Sequence, residues 1–242
     1  MTEDQTAISN FMRWFRIASE KAWANLRERD LASFRAQEVG GLSHRRGTHW
    51  LNGFSEEEIE RIEAREGRAL PFELKTFLRI CGKTDRGFMS FGYNDDNVIV
   101  QRPDVPIFYD WSDDGQIAIA RQSIRSRILS HVETGSWLKE WGPRPADLSS
   151  AMTMAAEKIE DGAPLYPLHS HRAVLPLSAR SLSPVLSCHG LDTTIYSSSL
   201  CRNLVEDTGL DLDLSDAPPV PDQDARAIHS EVHQMPFWGL LV

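Results

Sequence analysis

The chain has few cysteines, and their spacing does not pair them. Cys81, Cys188 and Cys201 are an odd number at irregular intervals in 242 residues, which argues against a disulfide scaffold. Cys81 falls on a helical apolar stripe and Cys188 in an apolar strand pattern, so we interpret both as small buried side chains. With 41% apolar residues, a chain of this length can be stabilised by a hydrophobic core without disulfides or metals.

Positive charge is also scarce. The chain has 26 Lys and Arg against 35 Asp and Glu, a formal net charge of −9. Such a surface disfavours nucleic acids and anionic membranes as direct partners and favours basic proteins. No apolar run approaches membrane-spanning length, and the first residues, MTEDQ, are not those of a signal peptide. We therefore expect a cytoplasmic protein with no membrane partner.

Complete catalytic motifs are missing as well. Gly82, Lys83 and Thr84 look like the end of a phosphate-binding loop, but that loop needs a glycine where Phe77 stands. Lys83 is instead predicted to be solvated beyond a helix end. We predict no catalytic residue, no metal ligand and no cofactor, and hence a protein that is not an enzyme.

One enzymatic alternative stays open, a metal-dependent hydrolase. His169, His171 and His189 could bind a metal, since residues two apart in a strand face the same side, and Asp192 could supply an oxygen. Ser187, His189 and Asp192 also contain the elements of a nucleophilic triad, although no G-x-S-x-G elbow accompanies them. We favour the interpretation that His171 and Arg172 form local hydrogen bonds instead.

Residues 53–82 carry the clearest local pattern. Ser55 precedes Glu58 at the spacing of a capping box, and Gly67 is a natural helix end. Pro71 then suits the start of a second helix. Its apolar residues recur at i, i+3, i+4 and i+7; they are Leu74, Phe77, Leu78 and Cys81. The pattern predicts two helices joined by a corner.

The remaining patterns mix strands and helices. Helices are predicted over 6–35, from Asp147 to about Glu160, and over 198–207. Strands are predicted within 86–111, and the other strand-like runs are Leu165–Leu168, Ala173–Leu177, Val185–Cys188 and Thr193–Tyr196. Residues 40–49 are interpreted as a mobile connection.

Two blocks of this chain resemble the SUKH superfamily, which includes a fungal regulator of cell-wall synthesis and bacterial immunity proteins. The first block resembles the family's N-terminal motif at Ser55, Ile59, Glu63, Gly67, Leu70, Pro71, Phe77, Leu78 and Gly82. The second contains Ala163, Pro164, Leu165, Tyr166, Pro167, His171, Arg172, Pro184, Val185, Ser187, Asp192 and Tyr196. The chain departs from the family at Lys83, Ala173, Ser197 and Ser198.

The resemblance implies an α+β fold, a mostly antiparallel sheet flanked by helices. It covers residues 50–208, so 1–49 is expected to be a helical extension with a linker. Residues 209–242 are expected to form an acidic, Pro-rich tail that ends in an apolar segment, MPFWGLLV, which docks on the domain or on a partner. The implied function is that of a non-enzymatic immunity protein, which blocks the active site of a cognate toxin. A regulatory or scaffolding role is the alternative within the family.

An acidic and aromatic patch is the predicted partner-binding surface. Carboxylates there could steer a basic, nuclease-like toxin while aromatic side chains supply binding energy. A solvated turn beside core aromatics is the competing interpretation. The predicted partner-binding residues are Asp95, Asp96, Tyr109, Asp110, Trp111, Asp113 and Asp114. Composition alone leads to this choice, and it leaves the oligomeric state open.

Overall fold

The structure is a computed structural model that describes residues 2–177, 182–219 and 224–242. Within those residues the chain forms eight α-helices and seven β-strands. The helices are α1 Glu3–Asn25, α2 Leu31–Ala36, α3 Glu56–Glu66, α4 Phe72–Ile80, α5 Asp114–Glu133, α6 Leu148–Glu160, α7 Leu200–Glu206 and α8 Ala225–His233. The strands are β1 Gly41–Ser43, β2 Phe88–Tyr93, β3 Ile99–Val105, β4 Tyr166–His169, β5 Arg172–Val174, β6 Val185–His189 and β7 Asp192–Ser197.

The strands form two antiparallel sheets with sequential neighbours. The first sheet has the order β1-β2-β3 and the second has the order β4-β5-β6-β7. Every strand pairing is antiparallel, and helices precede and follow the strands of each sheet, so the predicted α+β class is confirmed. The strands are divided between two sheets, whereas a single sheet was expected.

The helical pair at residues 55–82 matches its local pattern closely. Ser55 caps α3 through a reciprocal capping box with Glu58, and Gly67 ends it at φ +66°. Helix α4 begins at Phe72, so Pro71 lies just before the helix. The sequence predicted that Pro71 would be the first residue of the helix. The four stripe residues of α4 are at most 1% exposed, which confirms the predicted buried face.

The N-terminal helix packs into the main core. Phe11, Met12 and Phe15 of α1 belong to the same hydrophobic cluster as residues of α4 and α7. The predicted helix over 6–35 is interrupted, because α1 ends at Asn25 and α2 begins at Leu31. Residues 40–49, predicted to be a mobile connection, instead include edge strand β1 and the buried His44.

The C-terminal region also folds back. Helix α8 occupies part of the predicted tail, with Ile228 and Val232 buried on one face. Phe237 and Trp238 are each 4% exposed and pack in a second cluster with residues of α5, α6 and the second sheet. Residues 220–223 of the predicted linker lie outside the described residues.

Candidate functional site

The predicted partner-binding patch is divided between the two ends of β3. Asp95 and Asp96 lie in the exposed turn that joins β2 to β3, and the other residues follow the far end of β3. Since β3 spans seven residues and a strand rises about 3.3 Å per residue, about 20 Å separates the two groups. The two groups therefore do not form one continuous patch.

The carboxylates beyond β3 already have partners. Asp110 accepts a hydrogen bond from the Lys83 ammonium at 2.6 Å, so the lysine predicted to be solvated is paired. Lys83 and hydrogen bonds from Ser112 hold the pKa of Asp110 below its usual range, although burial raises it. Asp113 caps α5 by accepting from the Gln116 backbone N–H, and Asp114 pairs with Arg65.

The aromatic residues of that group serve the core. Trp111 is 1% exposed, and its indole N–H donates to the Pro167 carbonyl at 3.2 Å. The Tyr109 hydroxyl donates to the Ser170 carbonyl at 2.8 Å, and burial raises the pKa of that hydroxyl. Trp111 was predicted as a surface anchor, and its burial against the second sheet removes it from the accessible surface.

A different set of apolar residues accompanies Asp95 and Asp96. Val39, Tyr93 and Val98 are 42%, 41% and 45% exposed, and all lie at the same end of the first sheet. The Tyr93 hydroxyl donates to the carbonyl of Glu38 at 2.6 Å, which brings the segment before β1 against the hairpin. We call Val39, Tyr93, Asp95, Asp96 and Val98 the hairpin-end surface.

The hairpin-end surface combines exposed apolar area with free negative charge. Among the described residues, neither Asp95 nor Asp96 forms an ion pair, and both side chains are exposed. Carboxylates that are not neutralised locally act on an approaching cation at longer range. Val39 was missed from the sequence because it lies more than fifty residues from Tyr93, between the predicted helix over 6–35 and the predicted connection over 40–49.

The three histidines lie on two different sides of the β4–β5 turn. His169 packs edge-on against Phe108 and lies 3.6 Å from Asp207, whereas the ring centroids of His171 and His189 are 4.0 Å apart. The strand alternation predicted for His169 and His171 fails because β4 ends at His169 and the turn follows. In the described part of the chain, no group of three His, Cys, Asp or Glu residues is arranged to hold a metal ion.

Arg172 organises the polar groups around these histidines. It is 7% exposed and donates to both carboxylate oxygens of Asp207, at 2.6 and 3.2 Å. It also donates to Nε2 of His171 and to the Ser187 hydroxyl, each at 2.5 Å. The Ser187 oxygen is thus hydrogen-bonded to a cation, whereas a nucleophile is activated by a neighbouring base.

The charge of Arg172 also determines the protonation of its neighbours. Burial, followed by Arg172 and His189, lowers the pKa of His171 to about 4, so its ring is neutral at pH 7. Burial raises the pKa of Asp207, but Arg172 outweighs it and holds that pKa below the usual range. The cluster is therefore a largely buried ion pair with the neutral His171 beside it, and loss of either member of the pair would leave an uncompensated buried charge.

None of the described helices is both long enough and apolar enough to cross a bilayer. No family model, no curated protein and no solved structure matches the chain. The resemblance to the SUKH superfamily therefore stays a prediction.

Proposed function

We propose that this protein is a non-enzymatic binding module that occupies a basic protein partner, in the manner of a SUKH-type immunity protein that neutralises a toxin. The hairpin-end surface carries this proposal. Exposed Tyr93 and Val98 stand beside two carboxylates without ion-pair partners among the described residues. An aromatic anchor surrounded by charge is the usual composition of an energetic centre in a protein interface.

The charge of the whole chain supports a basic partner. A net charge of −9 accelerates association with a positively charged protein and slows association with an acidic one. The turn between β2 and β3 projects beyond the strands, so its side chains can enter a concave basic site. Occupation of a toxin's active site would require no chemistry from this chain.

The first experiment is affinity capture of the tagged full chain from its native cells, followed by assay of the captured partner. We expect one stoichiometric partner with a basic domain, whose activity falls when one equivalent of this protein is added. Several substoichiometric partners without loss of activity would favour the regulatory alternative. A protein recovered without any partner would contradict constitutive inhibition.

Charge-reversal variants then test the surface itself. We expect Asp95→Lys with Asp96→Lys to weaken binding of the purified partner at least tenfold, mainly by slowing association. The matched control is Asp211→Lys with Asp216→Lys, which makes the same change of charge at exposed positions elsewhere. Equal loss in both double variants, or no loss in either, would exclude the hairpin-end surface as the interface.

A further inference from the structure

A cleft rich in arginine lies outside the hairpin-end surface of this acidic protein, and no residue of that surface lines it. It has a volume of about 410 Å³ and lies between the end of α3, helix α5 and the segment that joins α6 to β4. Ile124, Ile159, Leu165 and Trp238 form its apolar wall. Four arginines line it, namely Arg65, Arg68, Arg121 and Arg125.

The cleft has a positive charge although the chain as a whole is acidic. Its lining contains four guanidinium groups and the two carboxylates of Glu66 and Glu160. Asp114, outside the lining, also pairs with Arg65, so 4 − 3 leaves a formal charge of +1. Glu66 pairs with both Arg65 and Arg121, and Glu160 pairs with Arg125 at 3.3 Å. Arg68 is exposed and has no ion-pair partner among the described residues.

Two of the guanidinium groups are held in place by an aromatic ring. The guanidinium carbons of Arg65 and Arg121 lie 5.7 and 5.9 Å from the centre of the Trp111 ring. Both distances are within the range of a cation–π contact. These contacts fix two of the four arginines that give the cleft its charge.

We propose that this cleft binds a small molecule that carries a phosphate monoester. Arg68 and Arg125 contact the phosphate, and the apolar wall contacts the organic body. A guanidinium presents donors that match phosphate oxygens in pairs, and the net positive charge of the cleft attracts a phosphate anion. The volume falls within the range of small-molecule sites.

Calorimetric titration of the full chain tests this site. The probes are inorganic phosphate, a mononucleotide and a sugar phosphate at low ionic strength and pH 7.5. We expect at least one organic phosphate to bind tenfold more tightly than inorganic phosphate, because only the organic compounds reach the apolar wall. The two organic probes distinguish a planar base from a sugar as the preferred body.

Two variants and a control complete the test. Arg68→Gln and Arg125→Gln should each weaken binding of the organic phosphate at least tenfold. Arg13→Gln, which removes the same charge from an exposed position on α1, should change nothing. Organic phosphates that bind no better than inorganic phosphate, an equal loss in the Arg13 variant, or unchanged binding in the Arg68 variant would overturn the proposal.

Discussion

The Glu73 carboxylate is fully buried in the core. From the sequence alone, Glu73 is simply an acidic residue in the first turn of α4, and its burial is not indicated. Its oxygens accept from the backbone N–H groups of Ser183, Leu200 and Cys201, at 2.7, 3.2 and 3.1 Å. These bonds join α4 to the start of α7 and to the chain before β6. Burial outweighs them and raises the pKa of Glu73 from 4.5 to about 7.

The raised pKa of Glu73 predicts a stability that falls as pH rises. Between pH 4.5 and 7 the unfolded chain releases this proton while the folded chain keeps it, so unfolding becomes easier by up to about 3 kcal/mol. Urea unfolding at pH 4.5 and 7.5 should show this loss in the native chain and a smaller loss in Glu73→Gln. Glu57→Gln, at an exposed position in α3, should follow the native chain. Parallel pH dependence in all three proteins would contradict the assignment.

At the scale of elements, helix α3 ends at a residue in the left-handed backbone conformation. Gly67 follows α3 at φ +66°, and its N–H donates to the carbonyls of Ala64 and Glu63. A Cβ at this position would meet nothing within 4 Å. The cost of a side chain there is therefore conformational, because only glycine and asparagine adopt the left-handed region readily.

Two substitutions at Gly67 separate conformation from packing. Gly67→Ala should lower the free energy of unfolding by about 1 kcal/mol, and Gly67→Asn should lower it by less than half as much. Both are measured by urea unfolding. An asparagine variant as unstable as the alanine variant would show that the left-handed conformation is not what limits stability here.

At the scale of the whole molecule, both chain ends contribute to the core. The Phe237 ring lies 6.0 Å from that of Trp141 and is nearly parallel to it, and the Trp238 indole N–H donates to the Ala163 carbonyl at 2.6 Å. The last residues thus cover α6 and the second sheet. The apolar end predicted to dock on the domain or on a partner docks on the domain.

Phe237→Ala should therefore destabilise the protein although Phe237 lies only five residues before Val242. We expect a loss of about 3–4 kcal/mol in the free energy of unfolding, since a buried aromatic ring is replaced by a cavity. Leu240→Ala is the control, because Leu240 is 41% exposed and its loss should cost less than about 1 kcal/mol. Similar values for both variants would show that the C-terminal segment is not packed on the core.

The sequence predicts those elements whose signals are local. Ser55, Gly67 and the apolar stripe of α4 act within a few residues of each other, and the acidic turn at Asp95 and Asp96 follows from turn chemistry. Helix α8 was missed although Asp224 caps it and Ile228 and Val232 have helical spacing, because the acidic, Pro-rich stretch before it indicates a linker. A search for capped i, i+4 apolar pairs would have found it.

By itself the sequence determined the helical pair at 55–82 and the position of the exposed acidic turn, because hydrophobic periodicity, capping and turn chemistry depend on neighbours along the chain. Only the tertiary structure decided that Trp111 is buried, that Val39 lies at the same end of the first sheet as Tyr93, and that Arg68 and Arg125 line one cleft. Those outcomes depend on contacts between residues far apart in sequence, and each such contact is determined by how whole elements pack.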